Sequence, residues 1–354
     1  MDVVSADVVD LLGRNMNPQK EHWMVTLQGV FYPAMAIVGI PSNIATFLIF
    51  WRRNCMLSKS STYYLMAISI ADTFVLVFIV VLETTVKFHQ EEPYWSRDPW
   101  CRLRDVFNYG TYNTSTWLVV AFTIERFISI PTWAIKAKFC TPRSALKAIA
   151  AVVFLGHILA VPYYWANVSL YHQNGSMWVC VYDRNAPSGY VHTMVWGQTL
   201  VSYVLPIQII PTLNGLTLRQ ISLSNRVHVT AAADLSPRAY RVTPLLRSRK
   251  RKSVVLLVTV SMSFVLLSAP RAITQIILRT AYYGLDRNDY SRQINVAADI
   301  ANMLRLTGAS VNMYLYACTQ AKFRKEFVAF FRKAFSRCKI NKTVCCRDPG
   351  ICHF

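Results

Sequence analysis

Residues Cys101–Pro131 read CRLRDVFNYGTYNTSTWLVVAFTIERFISIP. The stretch opens on a cysteine, crosses a long and mostly apolar run, and closes on the triplet Glu125-Arg126-Phe127. Wound as a helix, Cys101 to Arg126 spans roughly 37 Å at 1.5 Å per residue, enough to cross a bilayer. The cysteine then lies at one membrane face and the acid–arginine pair at the other. There the carboxylate can hold the guanidinium until another partner claims it.

The composition agrees with a membrane protein. Of 354 residues 53% are hydrophobic and 16% charged, and mean hydropathy is +0.28, too apolar for a soluble domain of this length. The formal charge of +20 raises nucleic acid as a partner, but its placement argues against that. Of 38 Lys and Arg, 25 fall in the segments 52–60, 134–147, 219–252 and 322–347. These are alternate gaps between apolar spans, the positive-inside pattern, so they face the cytoplasm.

Working outward, residues 1–23 form a polar extracellular tail without a signal peptide. Spans follow at about 24–51, 61–87, 101–131, 144–165, 190–221, 253–281 and 293–317. The membrane-embedded body is 24–318. Residues 319–335 carry Phe323, Phe327, Phe330, Phe331 and Phe335 as one apolar stripe among Lys and Arg, the pattern of an interfacial amphipathic helix. Residues 336–354 form a basic cytoplasmic tail. The expected fold is all-α: a seven-transmembrane helix bundle with that C-terminal amphipathic helix. Segment 222–252 is expected to be a long, mobile cytoplasmic loop.

Polar residues inside the spans single themselves out, because each must find a partner or a cavity. Asn43 does so in the first span and Asp72 in the second. Asp105, Asn108, Tyr109 and Tyr112 recur at helical spacing in the third, above Ser115. Arg271 follows the Pro270 of the sixth span. In the seventh, Asp299, Asn302 and Arg305 or Leu306 share a face, with Asn312 and Tyr316 below. Of nine cysteines only Cys101 and Cys180 face the oxidising side on this topology, and they are expected to pair. The sequons at Asn167 and Asn174 lie in an outer loop and are expected to be glycosylated.

In this order and spacing, Asn43, Asp72, Cys101 with Cys180, Glu125-Arg126-Phe127, Pro206, Pro270 and Asn312…Tyr316 resemble the rhodopsin-like (class A) G-protein-coupled receptors over about residues 25–335. Asn214 stands where a tyrosine is common, Ser268 where most carry a tryptophan, and Asn-Met-Tyr-Leu-Tyr replaces Asn-Pro-x-x-Tyr. With VPYYW, APR and ADIANML, these features are similar to the orphan branch that senses L-tryptophan and L-phenylalanine.

The resemblance implies a multi-pass plasma-membrane receptor with an extracellular N-terminus. It implies a heterotrimeric G protein, of Gq type, as partner, with arrestin, receptor kinases and membrane lipids besides. Asp105, Asn108, Tyr109, Tyr112, Arg271 and Asn302 are the expected ligand contacts. Arg271 would take the carboxylate of an aromatic amino acid and Asp105 its ammonium. Glu125, Arg126, Phe127, Asn214, Pro270, Asn312 and Tyr316 are the expected switch. The basic segments 131–143 and 247–252 would form the docking surface. No cofactor is expected beyond an allosteric sodium ion at Asp72, Ser115 and Asn312. A neuropeptide receptor of the same fold is the rival reading, since Glu91, Glu92 and Asp98 give an acidic outer rim. A retinal protein would need a lysine in 293–317, and there is none. A transporter should show inverted repeats, and no nucleophile–base or metal constellation supports an enzyme.

Overall fold

The computed structural model describes residues 22–52, 55, 57–82, 96–129, 139–172, 177–183, 185–231, 237–281, 289–330 and 332. Among them, seven long helices run α1 Trp23–Arg52, α2 Lys59–Val75, α3 Trp100–Ile128, α4 Pro142–Ile158, α5 from Ser188–Thr199 to Leu205–Ala231, α6 Pro237–Thr280 and α7 Gln293–Thr319. A wider π-type turn, Leu76–Leu82, continues α2, and another, Leu200–Val204, joins the two parts of α5. A short helix, α8, covers 321–330. Of the expected N-terminal tail 1–23 only residues 22 and 23 are described, and the expected C-terminal tail 336–354, the acidic rim residues Glu91 and Glu92, and the turn 131–138 lie outside the described residues.

Among the described residues five helices are apolar and long enough to cross a membrane: Trp23–Arg52, Lys59–Val81, Pro142–Trp165, Ser188–Leu223 and Val254–Thr280. The other two, α3 and α7, have 29 and 27 residues, so they are long enough too, but polar residues lower their hydropathy. Those residues face inward. Thr111, Asn113, Ser115, Thr116 and Glu125 of α3 and Asn295, Ser310 and Asn312 of α7 are all buried. Of the two polar helices, α3 is surrounded by α2, α4, α5 and α6, whereas α7 packs between α6 and α1 and keeps Ile300, Leu304 and Tyr314 on an exposed outer face.

Local chemistry explains how the elements start and bend. Ser58 caps α2 by accepting from the Ser61 amide at 3.2 Å, and Thr141 caps α4 from Ser144 at 3.1 Å, with Pro142 at the first helical position. The π-type turn in α5 sits just before Pro206. Proline has no N–H to return to the Val201 carbonyl five residues earlier, and the Trp117 indole N–H donates to that carbonyl instead, at 3.1 Å. Glycines let α3 and α4 approach closely. A Cβ on Gly156 would lie 2.7 Å from Thr114 Oγ1, and one on Gly110 the same distance from His157 Cδ2.

Two expectations are corrected here. The segment 222–252 is helical on both sides: α5 continues to Ala231 and α6 starts at Pro237. Once nucleated in the membrane a helix propagates at little cost, and the Arg, Lys and Leu of this segment are good helix formers. The outer loop between α4 and α5 holds a hairpin that the sequence did not announce. Its strands, β1 Asn167–His172 and β2 Met177–Tyr182, are antiparallel and place Ser169 opposite Cys180. The expected Cys101–Cys180 disulfide is present and ties this hairpin to the first turn of α3.

Candidate functional site

The polar interior divides into three levels. At the outer level Asp105 accepts from Asn167 Nδ2 at 2.8 Å and meets Arg104 Nε at 3.6 Å. Asp105 therefore anchors the hairpin, and it forms no ion pair with Arg271. Asn167 is 3% exposed, and its side-chain nitrogen donates to Asp105. Asn174 lies outside the described residues. Tyr109 stacks on Tyr163 with centroids 4.0 Å apart, and Asn108 lies on the same helix one residue before it.

One level deeper, α3, α5, α6 and α7 bring arginines and tyrosines together. Arg271 donates from Nη1 to the Ala298 carbonyl at 3.1 Å, and its Nε is buried without a hydrogen-bond partner. Arg305 lies over the Tyr112 ring at 4.0 Å and donates to Asn302 Oδ1 from Nε at 3.3 Å and Nη2 at 3.0 Å. The Tyr203 phenol sits beside Tyr112, Arg271 and Arg305. Tyr32 of α1 reaches Asn302. Above them Asp299 accepts from Gln28 Nε2 and Tyr290 Oη, each at 2.7 Å. Thus Tyr112, Arg271 and Asn302 lie at this level, while Asp105 bonds to the hairpin and Tyr109 stacks on Tyr163, in the turn that follows α4. Arg305, Tyr203 and Tyr32 were missed. Only the three-residue step from Asn302 to Arg305 pointed to any of them.

Below this, Asp72 is 2% exposed and accepts from Ser115 Oγ at 2.5 Å and Asn312 Nδ2 at 2.6 Å. These three residues line a cavity of about 30 Å³ together with Tyr112 and Arg305, room for one or two waters or a small ion. The Asp72 carboxylate and Ser115 hydroxyl are the hard oxygen donors that a sodium ion needs, so the residues fit one. The Arg305 guanidinium shares the cavity as a competing positive charge. Asn43 is satisfied across the bundle, donating to the Ala309 carbonyl at 2.8 Å.

At the inner end Glu125 is buried and pairs with Arg126. Its Oε1 accepts from Ser60 Oγ at 2.8 Å, and Arg126 Nη2 reaches Ser58 Oγ at 3.3 Å. Phe127 follows, half-buried. Tyr316 is fully buried, edge-on to Phe50 at 5.5 Å and to Phe323 of α8 at 5.8 Å. Asn214 donates to Ser261 Oγ at 2.7 Å, and α6 runs unbroken through Pro270. The side chains of 247–252 lie outside the described residues.

The family described as 7 transmembrane receptor (rhodopsin family) matches residues 42–316. The mouse protein described as probable G-protein coupled receptor 142 is 24% identical over 299 residues, covering 83% of this chain and 70% of its own length. Zebrafish galanin receptor 2a is 23% identical over 337 residues, covering 91% and 83%. The Bombyx mori allatostatin-A receptor is 22% identical over 303 residues, covering 84% and 77%. Squid rhodopsin shares the fold with a TM-score of 0.67 at 15% identity, over 88% of this chain and 86% of its own.

Proposed function

Because the chain belongs to the rhodopsin family of seven-transmembrane receptors, a family of signalling proteins and not of enzymes, we propose that it is a plasma-membrane receptor for a small aromatic ligand of the amino-acid type. The ligand enters from the extracellular side, where the N-terminus lies, and its carboxylate binds Arg271. Tyr112, Tyr203 and Tyr32 supply aromatic walls for its side chain. The observation that carries this reading is Arg271 itself. It is a guanidinium in the outer half of a membrane span, bonded to a carbonyl and to no carboxylate, and such a group marks a ligand path.

The signal is a population shift. The agonist binds the arrangement in which Glu125 has released Arg126 more tightly than the one in which it has not. Arg126 then joins a heterotrimeric G protein of Gq type at the cytoplasmic face, which arrestin and receptor kinases later engage. A sodium ion held by Asp72 and Ser115 would stabilise the closed arrangement by supplying a positive charge between α2 and α3.

The test is full-length receptor in mammalian cells, read by calcium and cyclic-nucleotide assays against L-tryptophan, L-phenylalanine, their amides and short peptides. A calcium response to the free amino acids, weakened by amidation and by Arg271→Ala, supports the reading. A response to peptides alone sinks it. That second reading, a peptide receptor, has support in the similarity to proteins named as galanin and allatostatin receptors.

A further inference from the structure

Three arginines descend through the outer half of the bundle: Arg279, then Arg271 two turns below it on α6, then Arg305 on α7. Arg279 donates to Thr199 Oγ1 and Gln275 Oε1, both at 3.1 Å. Arg271 has the Ala298 carbonyl and the Tyr203 phenol. Arg305 has the Asn302 amide oxygen and the Tyr112 ring face. Every one of these partners is neutral. Among the described residues no carboxylate lies within ion-pairing distance of any of the three. Arg271 and Arg279 are close enough to repel each other.

The nearby acids are already engaged. Asp105 is held by Asn167 and Arg104, and Asp299 by Gln28 and Tyr290. Asp72, across the lower cavity, is capped by Ser115 and Asn312. Even counting Asp72 and Asp299 in full, three guanidiniums leave this part of the bundle net positive. Intramembrane charges are otherwise paired with one another, because desolvating a lone one is costly. The counter-charge that is missing among the described residues therefore has to come from the ligand, and the nearby described acids already accept hydrogen bonds from Asn167, Gln28, Tyr290, Ser115 and Asn312.

We propose that this arginine–tyrosine cluster selects a small aromatic acid of net negative charge, its carboxylate shared by Arg271 and Arg305 and its ring among Tyr32, Tyr112 and Tyr203. This rests on the small-ligand reading and narrows it. A deaminated or N-acylated aromatic acid binds better than the free zwitterion, and an amine does not bind. Arginine suits the role because its planar fork meets a carboxylate through two parallel hydrogen bonds.

The experiment uses four probes on one skeleton: 3-phenylpropanoate and N-acetyl-L-phenylalanine (anions), L-phenylalanine (zwitterion) and 2-phenylethylamine (cation). Each is titrated against the full-length receptor in nanodiscs, read by thermal unfolding, and against cells, read by signalling. The expected order is both anions at least about tenfold more potent than the zwitterion, with the amine inert. Arg305→Gln should weaken the anions by about 30-fold or more, and Arg305→Lys should restore part of the loss. If the glutamine variant does not reach the membrane, the ranking on wild type decides by itself. L-Phenylalanine as potent as the two anions overturns the charge preference and leaves the small-ligand reading standing. Binding of none of the four overturns both.

Discussion

Glu125→Gln is the substitution whose outcome follows most directly from the inner site. The Glu125 carboxylate accepts from the Arg126 guanidinium through Oε2 and from Ser60 through Oε1. The glutamine side chain of the variant keeps a carbonyl oxygen for one of these and turns an NH2 toward the other. Either the guanidinium or the serine then faces a donor, and the charge attraction is gone. Hydrogen bonds to charged groups contribute about 1.5–3 kcal/mol each, against roughly 0.5–1.5 for neutral ones. The pair is screened little, since the Arg126 and Glu125 side chains are 11% and 7% exposed.

A net loss of about 1.5–2 kcal/mol from the closed arrangement follows, provided that the pair is broken in the signalling state. That is a shift of about 10- to 30-fold in the closed-to-open equilibrium. Ligand-free signalling should rise by that factor if the open form is rare in wild type. The assay is basal second-messenger accumulation at surface levels matched by antibody labelling of an N-terminal tag. Ser60→Ala removes one hydrogen bond to the carboxylate and leaves the ion pair, so its rise should be about tenfold, at the low end of the charged range and no larger than that of Glu125→Gln. Basal signalling of Glu125→Gln within about twofold of wild type would refute the restraint, and a larger rise in Ser60→Ala would refute its assignment to the carboxylate.

The other predictions draw on separate parts of the molecule. Cys101→Ala and Cys180→Ala should each cost about 4–5 kcal/mol for a loop of 79 residues and lower surface expression. The double mutant should be no worse than either single, and additive losses would mean that the cysteines do not act as one bridge. Gly156→Ala should destabilise by about 1–3 kcal/mol, seen as a lower thermal midpoint, because its Cβ meets Thr114 of α3; an unchanged midpoint would show that the helices part freely. Cys55, between α1 and α2, is 6% exposed. Its burial, reinforced by Glu326, pushes the thiol up to about 11, so maleimide labelling near neutral pH should be slow and should rise about tenfold per pH unit through the range below that value. Replacing sodium by choline should raise agonist affinity in wild type and not in Asp72→Asn; equal affinity in both salts would remove the ion from the site.

What the sequence made legible were the contacts whose partners it could name by chemistry. The disulfide followed from compartment, the need of Asn43 for a partner from its depth, the Glu125–Arg126 pair from an acid beside an arginine at the end of a span, and the Asp72–Ser115–Asn312 grouping from the family resemblance. The third and seventh spans are too polar for hydropathy alone, and it was their flanks and spacing that revealed them. What stayed hidden depends on which of several neighbours a side chain chooses. Asp105 had Arg271 and the outer loop as candidate partners, and the hairpin, fixed by a disulfide one turn away, took it through Asn167. Arg305 shared its expected face with Leu306, and spacing could not say that the guanidinium rather than the leucine would lie on Tyr112. The helical ends of α5 and α6 were obscured because a basic segment without an apolar stripe reads as loop, although a helix already nucleated continues through it.

Two further atoms say how the inner site is balanced. The Tyr316 hydroxyl and the Asn214 Oδ1 are both buried, and neither has a hydrogen-bond partner among the described residues. One is a donor and the other an acceptor, and they sit on α7 and α5 on either side of α6. An unsatisfied buried polar atom costs about 1–3 kcal/mol, so the arrangement described here carries two such costs at the place where α6 closes the bundle. A displacement of α6 that admits water, or lets the two groups meet, removes both. On the two-arrangement mechanism proposed above, the Glu125–Arg126 pair, with Ser60 and Ser58 around it, is the opposing term that holds the closed arrangement. Opposing terms of a few kcal/mol each, nearly cancelling, are what an equilibrium needs if a ligand bound near Arg271 is to move it.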